Sequence, residues 1–222
     1  MKNNIALVLI CGLLAACSGG GANTSNVNHA EHNMNMNVPA NTATMDHNSM
    51  GHGNSSDHAN MQSSPGAAAA PYDLQFLDTM TVHHQGAIDM AKLAETRAEH
   101  KELKELAAGI VYDQEKEIGK MSEWRDKWFA EKTKAINMDF PGMSHGMGGM
   151  DLKKLESLKG NDFDLEFMKQ MIPHHEGAIE MAKDLQKQDA HAELKELAGD
   201  IIKAQEAEIK QMREWLGKWQ GH

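Results

Sequence analysis

Apolar positions along residues 72–129 recur at the three- and four-residue spacing of amphipathic helices, and no stretch alternates as a strand would. The spacing predicts one helix over about 73–95 and a second over about 101–128. The apolar stripe of the second helix comprises Leu103, Leu106, Ala107, Ile110, Ile118, Met121, Trp124 and Trp128. The two elements together predict a helical hairpin.

A second copy of this pattern follows in the chain. Residues 72–129 align with residues 163–220 at a constant offset of 91 without a gap, and 29 of the 58 positions are identical. Such self-similarity indicates one supersecondary unit used twice. The second copy is predicted to contain helices over about 164–187 and 192–219.

Two hairpins supply four helices, so the predicted fold class is all-α, a four-helix bundle with pseudo-twofold symmetry. The connection between the hairpins, residues 130–162, is long, and a ferritin-like bundle has one such crossover. A short helix is expected in it over about 151–159. Residues 72–220 are therefore predicted to form one domain.

Histidines and methionines share a face of the first helix in each copy. At 100° per residue, one face roughly 120° wide carries Met80, His83, His84, Ala87 and Met90. A helical methionine alone is usually packing, but methionine flanking histidine on one face in both copies favours metal ligation. Each hairpin is expected to add one methionine from its partner helix. The predicted ligands are Met80, His83, His84, Met90 and Met121, with Met171, His174, His175, Met181 and Met212 in the second copy.

The partner helices also carry polar residues on their core stripe, namely Gln114, Glu117, Gln205 and Glu208. One interpretation is that they orient the imidazoles of metal-binding histidines by hydrogen bonding. The alternative is a buried polar network without metal. His100 and His191 lie at the hairpin turns, where capping or surface roles are expected.

Nine of the 16 methionines after Met1 lie outside the predicted hairpins. Glycines in the crossover predict a mobile loop. Residues 17–71 have almost no large apolar side chains, so they are predicted to be a disordered tether. The methionines and histidines of the crossover and the tether are interpreted as metal ligands, and the alternative is that they are incidental to the composition of these segments. The candidate auxiliary ligands are Met143, His145, Met147 and Met150 in the crossover, and Met45, His47, Met50 and His52 in the tether.

The first 16 residues are predicted to be an export signal. The apolar run from Ile5 to Ala16 suits a signal peptide and is too short to span a bilayer. It ends in Leu14-Ala15-Ala16-Cys17, which resembles the lipobox of bacterial lipoproteins. That resemblance implies lipidation of Cys17 and a periplasm-facing anchor, and Ser18 after it suits the outer membrane. The alternative is an ordinary secreted protein with a chance cysteine.

Composition narrows the chemistry. The chain has 222 residues and a formal net charge of −10, which argues against a nucleic-acid partner. It has 17 methionines, 13 histidines and only two cysteines, too few for a disulfide framework or a cysteine-rich zinc site. Thioethers are soft ligands that favour Cu(I) and, by the same softness, Ag(I), whereas imidazole also accepts Cu(II). The predicted cargo is therefore copper.

Enzyme motifs are incomplete or missing in the sequence. His175-Glu176 begins like the zinc-protease motif HExxH, but Ile179 stands where its second histidine belongs. The repeats contain no Glu-x-x-His pair of the kind found in di-iron bundles. We therefore expect a protein that is not an enzyme.

The motif His-His-x-Gly-Ala-Ile-x-Met-Ala occurs twice, each time followed by Gln-Glu-x-Glu-Ile and Met-x-x-Trp. Over residues 72–220 the chain resembles the CopM-like family, also known as domain of unknown function 305. The resemblance implies an exported ferritin-like bundle that binds copper or silver through methionine and histidine in copper resistance. The family often has proline before the histidine pair, as at Pro173, and Val82 departs from this pattern.

The resulting hypothesis is a lipid-anchored, non-enzymatic envelope protein that sequesters Cu(I) or transfers it, with a copper exporter or chaperone as a partner. Two alternatives remain open at this point. One is a ferritin-like metalloenzyme such as a cuprous oxidase. The other is a structural or partner-binding lipoprotein whose methionines are incidental.

Overall fold

The structure, a computed structural model, describes residues 61–221. This part of the chain is helical and contains no strand, which confirms the predicted all-α class. Its helices are α1 (Tyr72–Arg97), α2 (Lys101–Phe129), α3 (Met143–Met147), α4 (Leu152–Ser157), α5 (Gly160–Leu185) and α6 (Ala192–Trp219). The four long helices match the predicted ones to within four residues at each end. Among residues 61–221, no helix is both long and apolar enough to cross a membrane.

The two hairpins pack together through α1 and α5. Helix α1 pairs with α2, and α5 pairs with α6, as the repeat predicts. The Tyr72 hydroxyl at the start of α1 donates to Asp184 near the end of α5. At the other end of α1, Arg97 Nη1 donates to the carbonyl of Leu158, just before α5, at 3.3 Å. Helices α1 and α5 are therefore antiparallel, and repeat-related residues meet across a pseudo-twofold axis.

A buried aspartate of each hairpin holds the turn of the other. The Asp164 carboxylate accepts the backbone N–H groups of Glu99 and His100, at 3.0 and 2.9 Å, and the His100 Nδ1–H at 2.7 Å. The His100 ring stacks on Trp219 with 3.7 Å between ring centroids. The second copy repeats this arrangement with Asp73, His191 and Trp128. Each aspartate therefore satisfies the backbone N–H of the histidine at the start of the other hairpin's second helix and fixes that turn.

The crossover is not the mobile loop that its glycines predicted. Residues Met143–Met147 form helix α3, and Met143 is fully buried. A Cβ at Gly177 would lie 2.5 Å from Gly142 O and 2.6 Å from Gly146 N, so only hydrogen fits between the backbones of α3 and α5. Gly142 and Gly146 of the crossover, and Gly177 of α5, therefore allow the two backbones to pack closely.

The predicted boundary of the tether at residue 71 is also wrong. Ser64 N–H donates to Ile136 O at 2.8 Å, and the Met138 N–H donates to Ser63 Oγ at 2.9 Å. Ala67, in a short 3₁₀ turn, is buried. Residues 63–71 thus pack against the start of the crossover. The predicted signal peptide and the tether as far as residue 60 lie outside the described residues.

Candidate metal centre

Four buried histidines lie where α1 and α5 cross. His83, His84, His174 and His175 are each at most 1% exposed. The rings of His83 and His174 face each other across the pseudo-twofold axis, with 3.8 Å between centroids and a 43° tilt. This arrangement follows from the antiparallel docking of two copies of one helix, since each histidine pair is carried to the same crossing point.

Two glutamates fix the ring orientation of one histidine in each pair. Glu117 Oε2 accepts from His84 Nε2 at 2.7 Å, and Glu208 Oε2 accepts from His175 Nε2 at 2.7 Å. A carboxylate can only accept, so Nε2 carries the proton and Nδ1 of the neutral ring holds the free lone pair. Both Nδ1 atoms are buried without a hydrogen-bond partner among the described residues. A carboxylate behind one ring nitrogen is the usual support for a histidine that binds metal through the other.

We predict that Glu117→Gln weakens Cu(I) binding about tenfold, because loss of the carboxylate charge lowers the electron-donating power of the His84 ring. Glu115→Gln, on the same helix, is the matched control, since Glu115 is exposed and pairs with the exposed Lys92 at 3.1 Å. Competition titration of both variants against a Cu(I) chelator measures the difference. Equal affinities of the two variants would show that Glu117 does not support a ligand.

His83 is a third imidazole whose ring nitrogens are available to a ligand. Neither of its ring nitrogens has a hydrogen-bond partner within residues 61–221. Burial lowers the pKa of His83 well below its ordinary value, and the neighbouring His84 and His175 lower it further. The ring is therefore uncharged at neutral pH, which is the form that binds metals. A buried ring without a hydrogen bond costs roughly 1–3 kcal/mol, a cost typical of functional sites.

The six predicted methionine ligands of the helices are all fully buried. Their grouping differs from the prediction that each hairpin assembles its own set. Met80 and Met121 share a buried cluster with Met181 of the other hairpin. Correspondingly, the second cluster contains Met171, Met212 and Met90. The antiparallel crossing explains this exchange, because it brings the late part of each first helix beside the early part of the other.

The remaining predicted residues divide into several groups. Gln114 and Gln205 are buried, but Oε1 of each has no hydrogen-bond partner among the described residues, so this oxygen does not orient an imidazole. His145 is half exposed and lies 3.7 Å from Glu176 and 3.9 Å from Glu180. Within residues 61–221, no three His, Cys, Asp or Glu side chains are placed to hold a metal ion by themselves. The candidates Met45, His47, Met50 and His52, and Cys17, lie outside the described residues.

Gly146 was predicted, with the other glycines of the crossover, to confer mobility, whereas the structure packs it against the buried histidines. A Cβ at this position would collide with His83 Nε2. Gly142, four residues earlier, has a φ of 85°, which favours glycine on backbone grounds alone. The glycine content of the crossover predicts flexibility, but in the structure these glycines permit close contacts.

The fold and this site define a class of protein: a helical bundle built from a repeated hairpin, with histidines and methionines buried where the repeats meet. The model of the domain of unknown function DUF305 matches residues 73–216, and the chain belongs to this family. The resemblance inferred from the doubled motif is thus confirmed. No curated protein matches the chain.

Solved structures of the family share the fold. CopM in the Cu(II)-bound form is 45% identical with a TM-score of 0.58, over 66% of this chain and 97% of that chain. The Cu(I)-bound and Ag-bound forms of CopM are each 43% identical with a TM-score of 0.57, over 66% of this chain and 96% of theirs. A DUF305 protein of Streptomyces coelicolor is 30% identical with a TM-score of 0.60, over 67% of this chain and 92% of that chain.

Proposed function

We propose that this protein binds copper as Cu(I), and Ag(I) by the same chemistry, in the interior of its bundle. The observation that carries the proposal is the pair of buried Nδ1 atoms on His84 and His175, each set by a glutamate behind the ring. Buried thioethers lie in the two clusters on either side of the histidine crossing. The likeness to CopM, solved with Cu(I), Cu(II) and Ag, supports the choice of ion.

The donor set suits a soft monovalent cation. Thioether sulfur and neutral imidazole carry no charge, so a bound Cu(I) leaves a net charge of only +1 to be stabilised in the interior. Methionine prefers Cu(I) among the biological metals, whereas zinc sites draw on cysteine, histidine and carboxylates. The proposed thioether donors are Met80, Met121 and Met181, and their repeat counterparts Met171, Met212 and Met90. Cu(II) would be accepted through imidazole alone.

The proposed role is to sequester Cu(I) or pass it on, without catalysis, in the cell envelope. Lipidation of Cys17 would hold the protein at the membrane, facing the periplasm, and a copper exporter or chaperone would exchange metal with it. Methionine suits this setting because free thiols form disulfides outside the cytoplasm, whereas thioethers do not. Such a protein would contribute to copper resistance.

The direct experiment loads the full chain with Cu(I) under argon, removes free metal by desalting, and measures copper and protein by elemental analysis. The proposal predicts at least two copper ions retained per chain, one for each half of the bundle. Sub-stoichiometric copper would overturn it and would favour a structural lipoprotein with incidental methionines. The matched sample is a chain with His84→Leu and His175→Leu.

A second measurement distinguishes the proposed copper-sequestering protein from the alternative of a cuprous oxidase. The Cu(I)-loaded chain is exposed to oxygen with excess Cu(I), and formation of Cu(II) is followed by electron paramagnetic resonance. A sequestering protein is expected to slow oxidation relative to free Cu(I). Repeated turnover that disappears in a chain with Met80→Leu and Met171→Leu would establish the oxidase instead.

A further inference from the structure

The buried histidines are closed off from solvent within residues 61–221. His83, His84, His174 and His175 are each at most 1% exposed. Any ion can therefore reach these rings only after part of the protein has moved. The four long helices pack over 26 to 29 residues each, so separating them would disrupt most of the core. A smaller element is the better candidate for this movement.

Helix α3 is the short element that covers one of these rings. Its buried side consists of Met143, Gly146 and Met147, and its other two residues are exposed. A Cβ at Gly146 would lie 2.2 Å from His83 Nε2, so the backbone of α3 lies directly against the edge of the His83 ring. Movement of α3 away from α5 would therefore uncover His83 Nε2 without a change in the four long helices.

The crossover is hydrogen-bonded to the bundle on both sides of α3. Before α3, the Asn137 N–H donates to Thr79 Oγ1 at 3.0 Å. After α3, the Asp151 N–H donates to Gln170 Oε1 at 2.8 Å. Because Thr79, Asn137 and Gln170 are all buried, these bonds are shielded from water and hold the two ends of the segment in place.

Between these two anchors, the backbone of α3 makes local hydrogen bonds. The Gly146 N–H donates to Gly142 O at 2.9 Å, and the Gly148 N–H donates to Ser144 O at 3.0 Å. These bonds lie within the segment, so they can persist when it leaves α5. On the exposed side, His145 lies 3.7 and 3.9 Å from two carboxylates of α5, and exposed ion pairs of this kind contribute little to stability.

Glycines lie at both ends of α3. Gly142 precedes the helix, and Gly148 and Gly149 follow it. Gly149 is exposed, and a Cβ there would meet nothing within 4 Å, so close packing does not require glycine at this position. Glycine allows the chain to change direction at little steric cost, and a few residues at the ends of an element are sufficient as hinges.

We propose that α3 is a gate that turns on these glycines and opens while the four-helix bundle stays folded. In the closed state α3 packs on α5, and in the open state His83 Nε2 is exposed to solvent. The gate is a property of the metal-free chain, and only its role in admitting copper rests on the proposed function. It sets how fast an ion enters and leaves, whereas the interior residues set the affinity.

The gate is tested first on the metal-free full chain, so that its failure is distinguishable from a failure of copper binding. Diethyl pyrocarbonate, which acylates accessible imidazole nitrogens, is followed at His83 by peptide mass spectrometry, and hydrogen exchange is followed at the amides of residues 143–148. Each rate is divided by the rate in the urea-unfolded chain to give an open fraction. We expect open fractions at least about tenfold larger than those of the slowest amides of α1. Equal open fractions would overturn the gate.

Gly149→Ala tests the hinge, because its backbone is not left-handed and alanine fits the closed state. Alanine restricts the open segment more than the closed one, so labelling of His83 is expected to slow by roughly two- to fivefold. Gly109→Ala in α2 is the matched control, since its Cβ also meets nothing within 4 Å, and it should leave the rate unchanged. An unchanged rate in Gly149→Ala, or equal slowing in Gly109→Ala, would overturn the proposal.

Gly177→Ala is expected to act in the opposite direction, because its methyl group would collide with the backbone of α3. Labelling of His83 should become at least about tenfold faster while circular dichroism still shows a helical bundle. A folded Gly177→Ala variant with the wild-type rate would overturn the gate. If this variant does not fold, the hydrogen exchange of the wild type and the labelling of Gly149→Ala decide.

Copper exchange connects the gate with the proposed function. Transfer of Cu(I) from the loaded chain to a chelator is expected to slow in Gly149→Ala by the same factor as His83 labelling, with unchanged equilibrium affinity. A wild-type transfer rate in this variant, despite slower labelling, would overturn the role of the gate in metal entry. A wild-type chain that binds no copper would defeat the proposed function, and the metal-free measurements would still decide whether α3 opens.

Discussion

Replacing Gly177 by alanine is expected to destabilise the bundle by about 3 kcal/mol or more, at the upper end of the range for overpacking. The new methyl group would lie 2.5 Å from Gly142 O and 2.6 Å from Gly146 N, and backbone atoms cannot rotate away as a side-chain end can. Helix α3 would have to leave α5. For a chain of this size, the loss corresponds to a fall in melting temperature of roughly 6–12 °C.

Gly109→Ala is the control for this stability prediction, because its methyl group projects into open space in the middle of α2. Alanine in a helix is favoured over glycine by roughly 0.5–1 kcal/mol, so this variant should be slightly more stable than the wild type. Thermal and urea unfolding followed by circular dichroism measure both. A Gly177→Ala variant as stable as the wild type would show that the crossover does not pack on α5.

A chain with His84→Leu and His175→Leu is expected to bind Cu(I) at least about 100-fold more weakly than the wild type. The double replacement removes both Nδ1 donors, and a loss of roughly 2.7 kcal/mol per ion gives this factor. The fold should persist, since an apolar side chain of similar size replaces rings whose Nδ1 has no partner in the described part of the chain. Glu117 and Glu208 are partly exposed and regain water.

His145→Leu is the matched control for copper affinity, because His145 is half exposed and lies beside Glu176 rather than in the interior. Its Cu(I) affinity should remain within twofold of the wild type. Competition with a Cu(I) chelator, together with melting curves, separates lost ligands from lost structure. Unchanged affinity in the folded double variant would remove His84 and His175 from the ligand set.

Much of this fold follows from local pattern. Helical periodicity and the offset of 91 predicted four helices whose ends agree with the structure to within a few residues, because each helix carries its own apolar stripe. The same periodicity placed Met80 and His83 on one face. Periodicity does not identify the helix that this face contacts. The sequence therefore did not predict that Met90 packs with the methionines of the second hairpin and Met181 with those of the first.

The crossover shows a different limit. Glycine gives conformational freedom to a loop and also permits two backbones to touch, and the sequence alone does not distinguish these uses. Gly146 and Gly177 prove to be contact positions, which only the assembled fold reveals. In the same way, Glu117 could be placed on the stripe facing the histidines, but the choice of His84 Nδ1 as donor required the hydrogen bond at Nε2.

The central claim is that copper is held by histidine and methionine together, and X-ray absorption spectroscopy at the copper edge tests it most directly. The sample is the full chain with Cys11→Ala and Cys17→Ala, loaded with Cu(I), so that every sulfur belongs to methionine. The account predicts nitrogen scatterers at about 2.0 Å and sulfur scatterers at about 2.3 Å around the same copper. A first shell of nitrogen and oxygen alone, without sulfur, would contradict it.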